Sequence, residues 1–148
     1  MGDHITMKIL NLTQHLATSD QIKAGVVDLP ELGRQQLQKL ITFDTLPDDT
    51  ELSDRAHAVA SLAAQYIEVL EARDGEPVNT VLIGGAPYFM VPLEIALSHF
   101  GLFAVYAFSK RQAVETRNPD GTVTKTFTFK HEGFVPGTML STSLETSK

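Results

Sequence analysis

A chain of 148 residues suffices for one domain with one hydrophobic core and is too short for two, so a single site is expected. Its 43% hydrophobic and 20% charged residues, with mean hydropathy near zero, are those of a soluble globular fold, and no apolar run is long enough to span a bilayer. The net charge of −6 and pI near 5.2 argue against long nucleic acid as the main ligand, and the lack of cysteine excludes disulfides, thiol nucleophiles and thiolate metal sites.

The opening MGDHITMKILNLTQ carries Asp3 and only a short apolar run, so no secretory signal is expected and a cytoplasmic location is the default. Residues 9–12 read as a short buried strand, followed by Thr13, Gln14 and His15, polar groups that suit a sheet end open to ligand. Thr18 or Ser19 can cap a short helix over residues 20–24, because either hydroxyl accepts a free amide at a helix start, and Gly25 offers a stop. Pro30 opens a second helical piece, PELGRQQLQKLITF, with Leu32, Leu37, Leu40 and Ile41 as its apolar face and Gly33 as a local weakness. Residues 43–50, FDTLPDDT, read as a loop, and Asp48 with Glu51 three positions on has the pattern of a capping box. In the helix that follows, Leu52, Ala56, Val59, Ala63, Tyr66, Ile67 and Leu70 recur at helical spacing until RDGEP ends it.

Residues 78–83 form a second strand that runs directly into Gly84, Gly85, Ala86 and Pro87, then a helix over about residues 88–99 closed by Gly101. Pro87 suits the first helical turn, where its missing amide hydrogen costs nothing, whereas Pro92 lies further in and marks a kink. Residues 102–108, LFAVYAF, are apolar almost throughout, as expected of a strand covered on both faces. Beyond them the pattern changes. From Phe108 to His131 the chain carries five cations (Lys110, Arg111, Arg117, Lys125, Lys130) against two anions (Glu115, Asp120), a local +3. Residues 112–117 alternate, Asn118-Pro119-Asp120-Gly121 is a turn, and residues 122–130 alternate again, with Val123, Lys125, Phe127 and Phe129 on one face and threonines on the other: a hairpin. The tail from Pro136 is polar and small and is expected to be disordered, giving one domain over residues 1–135 and a tail over 136–148. The fold class is α/β, a small Rossmann-like sandwich with parallel central strands and a C-terminal β-hairpin.

Open α/β sheets bind ligands at the carboxyl ends of their parallel strands. Three segments are expected to meet there: Thr13 to His15, Gly84 to Ala86, and Ser109-Lys110-Arg111. The glycines let backbone amides and a helix's positive end approach an anion, although a tight turn serving packing alone has the same sequence. Both the three-glycine dinucleotide fingerprint and the P-loop lysine are missing. His15 and His131, after the first strand and in the last, can each act as acid, base or phosphate donor, or be ordinary surface histidines; His4, His57 and His99 are set aside. With no HExxH or similar spacing, neither a metal nor a cofactor is expected. Lys110 and Arg111 can hold phosphate or pair with Glu115 in solvent, and the threonine row is expected to be plain strand surface.

The run QHLATSDQ, the segment VLIGGAPYFMVPLEIAL and above all YAFSKRQAVETRNPDGTVTKTFTFKHEGF resemble the small CRISPR-associated proteins proposed as stand-alone ring nucleases, within the set of CRISPR-associated Rossmann-fold (CARF) domains. The similarity extends from the first strand to about Val135, the helical middle matching in layout only. It implies a homodimer that binds cyclic oligoadenylate, the second messenger of type III CRISPR defence, with the ring on the two-fold axis. It also implies that His15 and Thr18 match a histidine-x-x-threonine motif, that Gly84 lies in the glycine turn, that Arg111 and Glu115 match an arginine and glutamate after the third strand, and that Lys130 and His131 match a lysine-histidine pair. Where the family has a glycine-acid-aromatic-glycine turn, this chain has Gly84-Gly85-Ala86-Pro87, without an acid.

On this resemblance the chain is expected to bind and cleave cyclic tetra-adenylate by metal-independent attack of a ribose 2′-hydroxyl on its own phosphate. Arg111, Glu115 and His15 are the expected catalytic residues. Thr13, Gln14, Thr18, Gly84, Gly85, Ala86, Tyr88, Ser109, Lys110, Lys130 and His131 are expected to contact the ligand, with Tyr88 stacking on adenine. Two alternatives stay open: a binder without catalysis, acting as sponge or sensor, and an α/β protein for an unrelated small anion.

Overall fold

Five strands and four helices follow one another along residues 7–137, the part of the chain that the computed structural model describes. In chain order they are β1 (Ile9–Asn11), α1 (Ser19–Lys23), β2 (Val26–Asp28), α2 (Glu31–Ile41), α3 (Asp49–Asp74), β3 (Thr80–Leu82), α4 (Pro87–His99), β4 (Phe103–Arg117) and β5 (Val123–Pro136). They build one mixed sheet in the order β2-β1-β3-β4-β5, parallel from β2 to β4, with β5 antiparallel to β4. This is a Rossmann-like α/β sandwich ending in a β-hairpin, as the alternation of strand and helix patterns predicts.

The period-2 alternation of a strand divides the sheet into two faces. Leu10 lies in register with Val27 and Val81, and Val81 with Ala104; this face packs against Leu37 of α2, the stripe Ala56, Val59, Ala63, Ile67 and Leu70 of α3, and Phe89, Leu93 and Leu97 of α4. On the opposite face Ile9, Val26, Leu82 and Val105 form a smaller cluster with Ala17 and Phe134. Leu10 and Leu97 are fully buried, and truncating either to alanine is worth about 2–5 kcal/mol.

Helix ends follow from local chemistry. Thr18 caps α1 through a capping box, its hydroxyl accepting from the Gln21 amide while the Gln21 side chain accepts from the Thr18 amide. Asp48 caps α3 by accepting from the Glu51 amide at 2.8 Å, and α3 ends at Gly75 in the left-handed region. Instead of reaching back toward Asp48, the Glu51 carboxylate pairs with Arg55 one turn on.

Four expectations are corrected. Strand β2, three residues between Gly25 and Pro30, was not anticipated, because so short a segment carries no periodicity. Leu32 is 76% exposed and is not part of the α2 core face, which Leu37 supplies with help from Leu40 and Ile41. The third strand is not covered throughout residues 102–108: β3 pairs with β4 only as far as Val105, so Ala107 and Phe108 stand exposed where β4 leaves the sheet and continues as a ribbon with β5. The domain also extends past residue 135, since Pro136 pairs with Val105 and the Gly137 amide donates to the Ala104 carbonyl. The remainder of the expected tail, residues 138–148, and the start of the chain with His4, residues 1–6, lie outside the described residues.

Candidate functional site

The strand order reverses direction at β1: the chain moves from β1 outward to β2, then returns to β3 on the other side of β1. Loops leaving β1 and β3 must therefore diverge, which opens a crevice at the carboxyl ends of the strands. A pocket of about 560 Å³ occupies that crevice, lined by residues 13–16, Thr18 and Gln21 after β1, Leu82 at the end of β3 and residues 83–85 after it, and Tyr106 and Ala107 of β4.

The first wall is held by two polar side chains beneath it. Asn11, 4% exposed, donates from Nδ2 to the His15 carbonyl and to Asp28 Oδ1, both at 2.8 Å, and its Oδ1 accepts from the Thr13 amide at 2.9 Å and the Thr13 hydroxyl at 2.7 Å. Asp28 Oδ1 also accepts from the Ala17 amide at 3.0 Å. The loop from β1 to α1 is thus tied at Thr13, His15 and Ala17, which leaves the Gln14 and His15 side chains exposed at the pocket, with Gln14 Nε2 3.4 Å from His15 Nε2. A satisfied buried network of this kind rigidifies the backbone it holds.

The second wall is the glycine turn. Gly85 has φ +143°, a conformation that side-chain-bearing residues rarely adopt, and a Cβ on Gly84 would make ordinary contact with Thr13 across the crevice. Ala86 precedes α4 as its N-cap without a side-chain cap, and Pro87 fills the first turn. On the third wall, the Tyr106 hydroxyl donates to Glu94 Oε2 at 2.7 Å beneath the sheet. Burial first, and then the bond to Glu94, push the Tyr106 phenol well above its ordinary pKa, keeping it a neutral donor.

Of the residues expected at the site, Thr13, Gln14, His15, Thr18, Gly84 and Gly85 line this pocket together. Ala86 does not, and Tyr88 turns instead to Phe43, its ring edge-on at 5.7 Å, in a separate groove. Ser109, Lys110, Arg111, Glu115, Lys130 and His131 all lie on the ribbon beyond Ala107 and line no part of the pocket. Arg111 sits four residues past Ala107, about 13 Å along the strand. Its guanidinium leans toward the ribbon tip, 3.7 Å from the ring centroid of Phe127. His131 is the ribbon residue placed nearest in register, opposite Ser109, its ring 4.8 Å from Phe134 of the lower cluster, and its Nδ1 is buried with no hydrogen-bond partner among the described residues. Missed in the sequence are Asn11 and Asp28, which shape the pocket, together with Leu16, Gln21, Tyr106 and Ala107, which line it. A single asparagine inside the apolar run ILNL was the available signal for the first.

No described helix is long and apolar enough to cross a membrane, and no group of three or more His, Cys, Asp or Glu positioned to hold a metal occurs among the described residues. No curated protein and no solved structure matches the chain. A family model described as "Uncharacterized protein MJ1673 family" matches residues 7–135, most of the sequence, and the chain belongs to that family.

Proposed function

We propose that the crevice at the β1/β3 reversal binds cyclic oligoadenylate, with cyclic tetra-adenylate as the first candidate, and that the chain opens the ring as a cytoplasmic homodimer. The observation that carries this reading is the convergence of residues 13–16, the Gly84-Gly85 turn and the base of the β4–β5 ribbon on one pocket of about 560 Å³. That volume is within the range of small-molecule sites. The resemblance of the ribbon sequence to stand-alone ring nucleases supplies the ligand class.

Ring opening in this reading is transesterification. A ribose 2′-oxygen attacks the adjacent phosphorus, the bond from that phosphorus to the 5′-oxygen breaks, and the products are a 2′,3′-cyclic phosphate and a 5′-hydroxyl. The proton lost by the 2′-hydroxyl is regained at the 5′-oxygen, so neither water nor an oxidant enters. His15, at the pocket mouth, is the group of this chain suited to take and return that proton. Gly84 and Gly85 line the pocket, and this reading assigns their amides to the charge that develops on phosphate oxygens. Alignment of attacking and leaving oxygens by the fixed loop of residues 13–17 accounts for much of the barrier, since such alignment is worth about 7–11 kcal/mol in favourable cases.

A second reading, a binder that sequesters the messenger intact, is favoured by one observation: no lysine or arginine lines the pocket, and Arg111 is engaged with Phe127. Single-turnover incubation with labelled cyclic tetra-adenylate, followed by chromatography, separates the two. Linear product that disappears in His15→Ala supports cleavage. Intact ligand held in a tight complex supports sequestration, and no complex at all refutes both.

A further inference from the structure

The ribbon is unusual in three respects that nothing in the pocket explains. First, it is long and unsupported. Nine cross-strand pairs, from Ser109 with His131 to Arg117 with Val123, extend beyond the sheet for about 30 Å, and a lone two-stranded hairpin is marginal in water. Second, it displays apolar side chains, Phe129 being 72% exposed and Val123 and Phe127 about half exposed on the same face. Third, it is cationic, with Arg111 and Lys125 at 3.7 and 5.9 Å from the Phe127 ring centroid. None of its five lysines and arginines belongs to an ion pair among the described residues; Arg111, Arg117 and Lys125 share the phenylalanine face, while Lys110 and Lys130 stand opposite each other on the threonine face, an arrangement that costs stability in an isolated hairpin. These features fit a surface that is covered in the working molecule by something apolar and acidic.

The same chain carries such a surface. A groove of about 450 Å³ lies where the loop between α2 and α3 meets the start of α4, lined by Phe43, Leu46, Pro47, Leu52 and Tyr88 with Asp44 among them. Leu46 is 96% exposed and Tyr88 52%. Asp49 and Asp54 follow on the first turns of α3 and close no ion pair among the described residues. Since the ribbon carries +3 in a chain of −6, the rest of the molecule carries −9. Phe43 packs edge-on against Tyr88 and Phe89, so the groove sits at the start of α4, the same end of the sheet from which the ribbon projects.

We infer that two copies of this chain meet by that end and exchange ribbons, the Phe127–Phe129 face and its cations seating in the Phe43–Tyr88 groove of the other copy, reciprocally about a two-fold axis. The contact is self-complementary, as closed dimers require, and charge opposition sets its register and partner. It takes only the copy number from the homodimer reading above and does not depend on what the crevice binds.

The test uses two full-length variants. One reverses the cations of the Phe127–Phe129 face (Arg111→Glu, Arg117→Glu, Lys125→Glu) and the other reverses the groove and the start of α3 (Asp44→Lys, Asp49→Lys, Asp54→Lys). In the first, ribbon and groove are both acidic; in the second, both are basic. Each alone is expected to be monomeric by light scattering, its dimer weakened at least roughly tenfold, while an equimolar mixture forms a heterodimer in which both contacts are again opposite in charge. A ribbon-reversed protein that still dimerises overturns the inference while leaving a homodimer standing. Monomeric parent protein overturns both. A parent protein that shifts a labelled single-stranded oligonucleotide and loses the shift on ribbon reversal, with no change in mass, assigns the ribbon to nucleic acid and overturns it as well. Circular dichroism of each variant, and recovery in the mixture, exclude misfolding as the cause.

Discussion

Asn11→Ala removes the side chain that ties the loop after β1 to the end of β2. In the parent, one amide makes four hydrogen bonds at 2.7–2.9 Å to Thr13, His15 and Asp28 while only 4% exposed. Truncation leaves the Thr13 amide and one Asp28 oxygen short of a partner, and each such loss costs about 1–3 kcal/mol, with Asp28 at the upper end because it is charged. The expected total of about 3 kcal/mol is a large part of the ~5–15 kcal/mol available to a domain. For a chain of this size it lowers Tm by roughly 6–12 °C. Asn11→Asp is the sharper companion. It keeps the shape but places a carboxylate oxygen where an N–H donor stood, 2.8 Å from Asp28 Oδ1. Two carboxylates that close share a proton, so the pair's apparent pKa rises and the variant gains stability as pH falls from 7 to 5, while the parent shows no such gain. Differential scanning calorimetry across pH measures both. An Asn11→Ala protein melting within about 2 °C of the parent would refute the claim that this network holds the pocket wall.

Gly85→Ala forces a side chain onto a φ of +143° and is expected to cost about 1–3 kcal/mol by chemical denaturation, with loss of ligand binding beyond what stability explains. Tyr106→Phe deletes the donor to Glu94 and is expected to destabilise the fold by about 1–3 kcal/mol. Because the Tyr106 phenol is held above its ordinary pKa, its contribution is full below pH 10 and is lost as pH rises further; the parent's alkaline decline should therefore be steeper than the variant's. Asp74 is held at a pKa of about 2 by its hydrogen bond to Arg73 and then by Lys8. A depressed carboxylate contributes above its unfolded pKa near 4 and loses that contribution as pH falls to about 2, so Asp74→Asn should flatten the acid limb of the stability curve between those values.

The long elements were legible because each repeats its own signal. Seven apolar positions at helical spacing define α3, and the alternating residues on either side of Asn118-Pro119-Asp120-Gly121 define the ribbon with its correct faces, Phe127 and Phe129 together and the threonines opposite. The parallel strands contribute three residues each, too few for a period, so β2 was invisible and β4 was credited with burial that stops at Val105. At the site, proximity along the strand was mistaken for proximity in space. Arg111 follows the third strand in sequence, but β4 does not end there. It runs on for nine residues past Phe108 and carries Lys110, Arg111 and Glu115 out onto the ribbon, whereas β1 and β3 stop at once and leave His15 and Gly84 at the pocket. Nothing in a strand's composition says how far it outruns its neighbours.

Amide hydrogen exchange with and without cyclic tetra-adenylate tests the central claim most directly, because it reads every wall of the crevice at once. The account predicts added protection confined to residues 13–18, the Gly84-Gly85 turn and Tyr106-Ala107, in one cooperative titration. Protection restricted to a single wall, or none at any ligand concentration, would contradict it.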